Sequence, residues 1–189
     1  MFDVFQMNPF SSILILLVAF LAVFLEASFQ GVRHLLGAQV DLLPALMVYA
    51  SLSANLLTVS LLAVLGGLGF DSLSANPLGI TVLPLFVIGL LIYRKRNLIL
   101  REQFFAQWVL GLGASAVVPL LTLLLLLTAG KTPLLGWGSL WQWMVMSAGG
   151  GIAAPAFFRL FGIFENALSY RRNTQISFRP DREIKRGRK

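Results

Sequence analysis

Five stretches of this chain contain no Asp, Glu, Lys or Arg: residues 4–25, 42–70, 72–93, 103–130 and 132–158. About 20 apolar residues rising ~1.5 Å each cross a hydrocarbon core of about 30 Å, and every one of these stretches is longer than that. Backbone polar groups in lipid must be satisfied within the segment, and these Leu-rich runs lack the alternation of barrel strands. The expected fold is therefore all-α, a polytopic integral membrane helical bundle. With 57% of 189 residues hydrophobic and 12% charged, little chain is left for a soluble catalytic domain. There is no Cys and a single His, His34, so disulfides, iron–sulfur clusters and a Cys nucleophile are excluded, and neither a metal site nor a cofactor is expected. The first stretch follows MFDVFQMNP, which lacks the basic start of a signal peptide, and Leu25-Glu26-Ala27 is a poor cleavage site, so this helix is expected to be retained.

Charge placement sets the expected orientation. Residues 1–93 hold one basic residue, Arg33, whereas residues 171–189 carry a net +6 that begins with Arg171 and Arg172. This divides the chain into a bundle, 1–170, and a basic tail, 171–189. Beside a membrane bundle such a tail is expected to anchor topology and to lie on anionic lipid rather than on nucleic acid. Arg94, Lys95, Arg96 and Arg101 fall between the third and fourth stretches, so this loop and the C-terminus are expected on the cytoplasmic side of the inner membrane. The stretch 42–70 decides the helix count. Its 29 residues would reach about 43 Å as one helix, well over the core, and Ser53-Ala54-Asn55 offers a polar break. Two helices, the earlier from Val40 to Ser53, give six in all with both termini cytoplasmic; a single tilted helix would give five and put the N-terminus outside. Six is the reading adopted. Asn76-Pro77 signals a turn and the start of a helix. Trp137, Trp141 and Trp143 lie where an outer aromatic belt would fall. The last helix, from about Ser139 to Tyr170, is long enough for its end to protrude, with Arg159 snorkelling to the headgroups.

Three groups of residues invite a chemical reading. Ser115, in Gly113-Ala114-Ser115-Ala116, has no base to make it a nucleophile; Gly111 and Ser115, four apart and near Pro119, instead predict a small-residue packing face. Residues 147–156, with Gly149, Gly150 and Gly151 at their centre, must lie against another surface. Packing within the bundle is favoured over a docking groove, and the consecutive glycines are the expected hinge. The third group is Gly66-Gly67-Leu68-Gly69-Phe70-Asp71, followed by Pro77-Leu78-Gly79. This is no dinucleotide fingerprint, because it lacks a β–α context. Asp71 stands at a membrane helix's rim, where an acid is expected to face protein or water. Glu26 and Glu165 are expected in water or headgroups.

The run from Asp41 to Tyr93, with Asp41-Leu42-Leu43, Met47-Val48-Tyr49, Gly67-Leu68-Gly69-Phe70-Asp71-Ser72-Leu73-Ser74 and Pro77-Leu78-Gly79, resembles the bacterial rod shape-determining protein family MreD. There a helix opening with Pro-Asp-Leu is followed by a Gly-rich helix ending in Asp-Leu-(Leu/Ile)-Ser-Gly, a turn, and Leu-Gly before another helix. This chain departs in Val40, Ser72 and Ala75. The resemblance implies a non-enzymatic scaffold of the cell-elongation complex that binds the bitopic MreC and helps couple cytoplasmic MreB filaments to peptidoglycan synthesis by RodA and a penicillin-binding transpeptidase. On that reading Gly66, Gly67, Gly69, Asp71, Pro77, Gly79 and Gly149 to Gly151 are the candidate partner-binding residues. The competing class is a substrate-binding subunit of a vitamin or small-molecule transporter, since the pattern is also similar in size and helix count to those of energy-coupling-factor transporters. A pocket of that kind needs convergent polar and aromatic groups, and only Asn55, Asp71, Trp108 and Gln142 offer themselves.

Overall fold

The computed structural model describes residues 9–28, 37–74, 77–99, 103–131 and 136–176, with side chains described from Ser11 to Phe164. Arg33, His34, Asn76, Arg101, the Glu165, Arg171 and Arg172 side chains and residues 177–189 lie outside the described residues. Six α-helices follow in order among the described residues: α1 (Pro9–Ser28), α2 (Leu43–Ser53), α3 (Leu56–Leu73), α4 (Val82–Lys95), α5 (Phe104–Thr128) and α6 (Trp137–Ile176). No strand occurs among the described residues. The chain divides inside α6 into two units, 1–158 and 159–189, of which the second is described only as helix, to Ile176.

Among the described residues four helices are long and apolar enough to cross a membrane, over Ser11–Ser28, Leu56–Leu73, Phe104–Thr128 and Trp137–Phe164. This is the pattern of an integral membrane protein. Large apolar side chains on them point outward, Phe20 at 76% exposure and Leu57 at 71%, as a lipid-facing surface requires. α2 and α4 are shorter, 11 and 14 residues.

The long stretch 42–70 breaks where the polar residues are. α2 ends at Ser53, Ala54 is extended and α3 begins at Leu56. The earlier helix starts later than the expected Val40, because Pro44 suits only a first turn and the Asp41 carboxylate holds the Leu43 N–H at 2.9 Å. Residues 39–42 have no regular structure. Gln142 of α6 satisfies part of their backbone, accepting the Gln39 N–H at 3.1 Å and donating to the Gln39 carbonyl at 3.0 Å. Pro77 does not open the next helix as expected; residues 78–81 form a turn first, and α4 starts at Val82. At the other end, α6 continues past Tyr170 to Ile176.

All eleven residues of α2 are buried, and α1, α3, α4 and α5 pack round it. Pairwise contacts give the helix directions. Thr58 donates to Ser12 at 2.9 Å near the starts of α3 and α1, and a Cβ on Gly69 would lie 3.7 Å from Val23, so α1 and α3 run together. α4 runs against α3, with Gly67 at Val82 and Arg96 reaching the Ala54 carbonyl at 3.4 Å. α2 also opposes α3, since Leu43 meets Gly66. α5 and α6 are antiparallel, Gly111 lying at Ala154 while Trp143 donates to the Ala116 carbonyl at 2.9 Å. One end of this unit thus collects the starts of α1 and α3, the α2–α3 break and the basic end of α4.

α2 begins inside the bundle, where its first N–H groups have no water to bond. Asp41 takes that of Leu43, and Glu26, at the end of α1, takes that of Leu42 at 2.5 Å. Glu26 is therefore not in water or headgroups as expected: its side chain turns inward, because a carboxylate at a helix start satisfies orphan donors and the positive end of the helix dipole. Replacing Asp41 with Ala should lower stability in detergent by about 1–2 kcal/mol, whereas Glu26→Gln, which keeps an acceptor oxygen, should cost less. Thermal unfolding followed by Trp fluorescence measures both; equal, negligible effects would contradict the capping role.

Candidate functional site

The residues singled out on the third helix and the turn after it come together in one place. α3 carries its glycines at positions where neighbours approach too closely for a side chain. A Cβ on Gly66 would lie 3.1 Å from Leu43 of α2, and one on Gly67 would lie 2.9 Å from the backbone of Val82 at the start of α4. Gly69 is looser, with Val23 at 3.7 Å.

Asp71, one turn further on, is buried at 1% exposure. It closes the α3–α4 turn. Oδ2 accepts the backbone N–H groups of Gly79 at 2.9 Å and Thr81 at 3.1 Å, and Oδ1 accepts the Thr81 hydroxyl in a short hydrogen bond. Gly79 has φ +88°, a left-handed conformation that glycine adopts without a Cβ penalty, and this aims its N–H at the carboxylate. The α3 cap comes from the backbone, Ser74 N–H reaching the Phe70 and Asp71 carbonyls. Asp71 is thus a buried contact within the chain, tying the end of one helix to the start of the next. Around it the turn shows apolar side chains outward: Leu73 at 59% and Leu78 at 71% exposure, with Pro77 also exposed.

The second group is taken up by the bundle itself. A Cβ on Gly149 would lie 2.5 Å from Val40, and one on Gly151 would lie 3.3 Å from both Leu112 and Trp108. Gly150 faces Ser115 so closely that a Cβ there would overlap its hydroxyl, and Gly111 meets Gly150 and Ala154. The two small-residue faces therefore mate α5 with α6. Gly66, Gly67, Gly149, Gly150 and Gly151, read as candidate partner-binding residues, meet Leu43, Val82, Val40, Ser115 and Leu112 within the chain. Gly69, Pro77 and Gly79 stay at or near the surface, while Asp71 acts from beneath.

The polar side chains considered for a small-molecule pocket do not converge. Asn55 is exposed at the α2–α3 break, Asp71 serves the turn, Gln142 is paired with Gln39, and Trp108 lies beside Gly151. Arg94 and Lys95 are exposed at the end of α4, while Arg96 is half-buried. Among the described residues no group of three His, Cys, Asp or Glu could hold a metal ion. Two contributors were not singled out from the sequence. Thr81 completes the Asp71 arrangement, and Gly89 admits Met47 and Val59, which would stand 2.8 and 2.9 Å from a Cβ there. A Gly-x-Thr spacing eight to ten residues after a helix-end acid was the available signal for Thr81.

Asp71→Ala should destabilise the protein by about 3 kcal/mol, since it leaves buried donors unpaired, and Thr81→Val by about 1–2 kcal/mol. Both substitutions delete the same hydroxyl bond, so the double variant should fall short of the sum by about 1 kcal/mol. Strict additivity in chemical denaturation would show that the two side chains act separately.

Compared with known proteins, the chain matches no family model, no curated protein and no solved structure.

Proposed function

We propose that this protein is a non-enzymatic membrane scaffold of the MreD kind, part of a bacterial cell-elongation complex, that receives a bitopic MreC-like partner. One observation carries the reading. The residues by which the chain resembles that family are joined in a single arrangement: Asp41 at the start of α2, Gly66 and Gly67 against Leu43 and Val82, and Asp71 fastening Gly79 and Thr81. A motif spread over some forty residues thereby becomes one braced turn with an apolar exterior.

In this reading Asp41, Gly66, Gly67, Asp71 and Gly79 do not touch the partner; they hold the surface that does. Leu73, Pro77 and Leu78 supply that surface, with Gly69 beside them. The bundle crosses the membrane six times. Residues 37–54 make one crossing as an irregular segment followed by α2, and Arg94, Lys95 and Arg96 lie at the face where α1 and α3 start. That face is cytoplasmic by the excess of cations, which suits a protein linking MreB filaments to RodA and a penicillin-binding transpeptidase.

The test is affinity purification from native membranes in mild detergent, with mass spectrometry of what accompanies the protein. The expected companions are an MreC-like single-span protein and cell-wall synthases. The double variant Leu73→Asn, Leu78→Asn should fold normally and recover about tenfold less partner, as loss of one interface anchor predicts. Recovery of an ATPase module or a tightly bound vitamin would overturn the scaffold reading in favour of transport.

A further inference from the structure

The end of α4 and the break between α2 and α3 meet in a feature that scaffolding does not use. Arg94, Lys95 and Arg96 are consecutive cations closing an apolar helix. Arg94 and Lys95 are exposed, and neither meets a carboxylate among the described residues. Arg96 differs from them. Its guanidinium stacks on the Tyr93 ring, 4.4 Å from the centroid, and Nη1 donates to the Ala54 carbonyl at 3.4 Å. One of its five donors is thereby engaged, in a long hydrogen bond, and the ring contact orients the group, with no other partner for it among the described residues.

Pinning an arginine in this way removes the rotamer entropy that weakens exposed ion pairs, and leaves a preorganised fork suited to a phosphate oxygen pair. Asn55, exposed next to Ala54, adds an amide with no side-chain hydrogen bond among the described residues, and α3 begins there without a side-chain cap. The surrounding helices present apolar side chains outward, among them Leu57 at 71% and Leu91 at 55% exposure. A ligand at this place therefore meets fixed positive charge at one level and apolar surface at the next. That is the profile of a phospholipid, phosphate above and acyl chains below.

We propose that Arg94, Lys95 and the pinned Arg96, with Asn55, form a binding site for the phosphate of an anionic phospholipid. The lipid clamps α4 to the α2–α3 break, because Arg96 already touches both. The assignment does not depend on the scaffold reading; it requires only that these helices lie in a bilayer.

The full chain, purified in neutral detergent, is exchanged into nanodiscs of phosphatidylcholine alone or with an equal mole fraction of phosphatidylglycerol. Thermal unfolding is followed, and native mass spectrometry identifies the lipids that stay bound. Wild type should melt higher with phosphatidylglycerol and retain it in preference to phosphatidylcholine. Arg94→Gln with Lys95→Gln changes exposed residues without intramolecular partners, so it should fold, match wild type in phosphatidylcholine, and lose roughly tenfold of that preference. The basic tail is present in both proteins and cancels in the comparison. Equal retention of the two lipids by wild type, or an unchanged preference in the double variant, would overturn the proposal. So would the same gain in melting temperature from inorganic phosphate in phosphatidylcholine discs, since it would make the site one for the free anion.

Discussion

A helix that begins inside a membrane bundle has donors that nothing can hydrate, and the first half of this structure is arranged round that constraint. α2 is buried along its whole length and starts behind an irregular segment. Each unsatisfied backbone group in hydrocarbon costs several kcal/mol, so acceptors are brought to these donors from elsewhere in the chain. Glu26 and Asp41 supply the acceptors for Leu42 and Leu43, and Gln142 serves Gln39. The end of α1, the start of α2 and the outer part of α6 are thereby drawn together by hydrogen bonds that lipid cannot replace.

The same economy recurs at the other carboxylate. Asp71 satisfies the N–H groups of a turn between α3 and α4, while glycines let those helices approach to backbone contact. In lipid there is no apolar burial to drive such contacts, so close packing and satisfied polar groups must supply the stability. The outcome is a hydrogen-bonded turn whose described apolar side chains, Leu73, Pro77 and Leu78, are exposed. A scaffold needs this property, because a partner's spanning helix is bound without paying to order the surface it meets.

Much of this was legible in the sequence, and the reasons differ by residue. The break at Ala54 follows from a stretch too long for one crossing with polar residues at its middle. That Gly111 with Ser115, and the 147–156 cluster, each form a close-packed face follows from small residues spaced one turn apart; that the two faces mate with each other does not. What a glycine cannot disclose is whose surface fills it: Gly66, Gly67 and Gly149 to Gly151 announced close approaches, with packing in the bundle favoured for the last three, and within the chain they meet Leu43, Val82, Val40, Ser115 and Leu112. Glu26 was misplaced because a carboxylate at a helix end looks interfacial until the chain's return brings a helix start beside it. Thr81 was legible only through Asp71, as the Thr of a Gly-x-Thr eight to ten residues beyond a helix-end acid.

The central claim is that the α2–α3 break lies at the basic face, with the Asp71 turn at the opposite one. The chain has no Cys, so single cysteines report position without background. Asn55→Cys, Asn97→Cys and Leu78→Cys, probed in intact and permeabilised cells with a membrane-impermeant maleimide, test it most directly. The account predicts that Cys at 78 labels in intact cells, while Cys at 55 and 97 label only after permeabilisation. A cysteine at 55 that reacts from neither side would make residues 42–70 one continuous span, and one that labels together with 78 would place the break on the wrong face; either result contradicts the account.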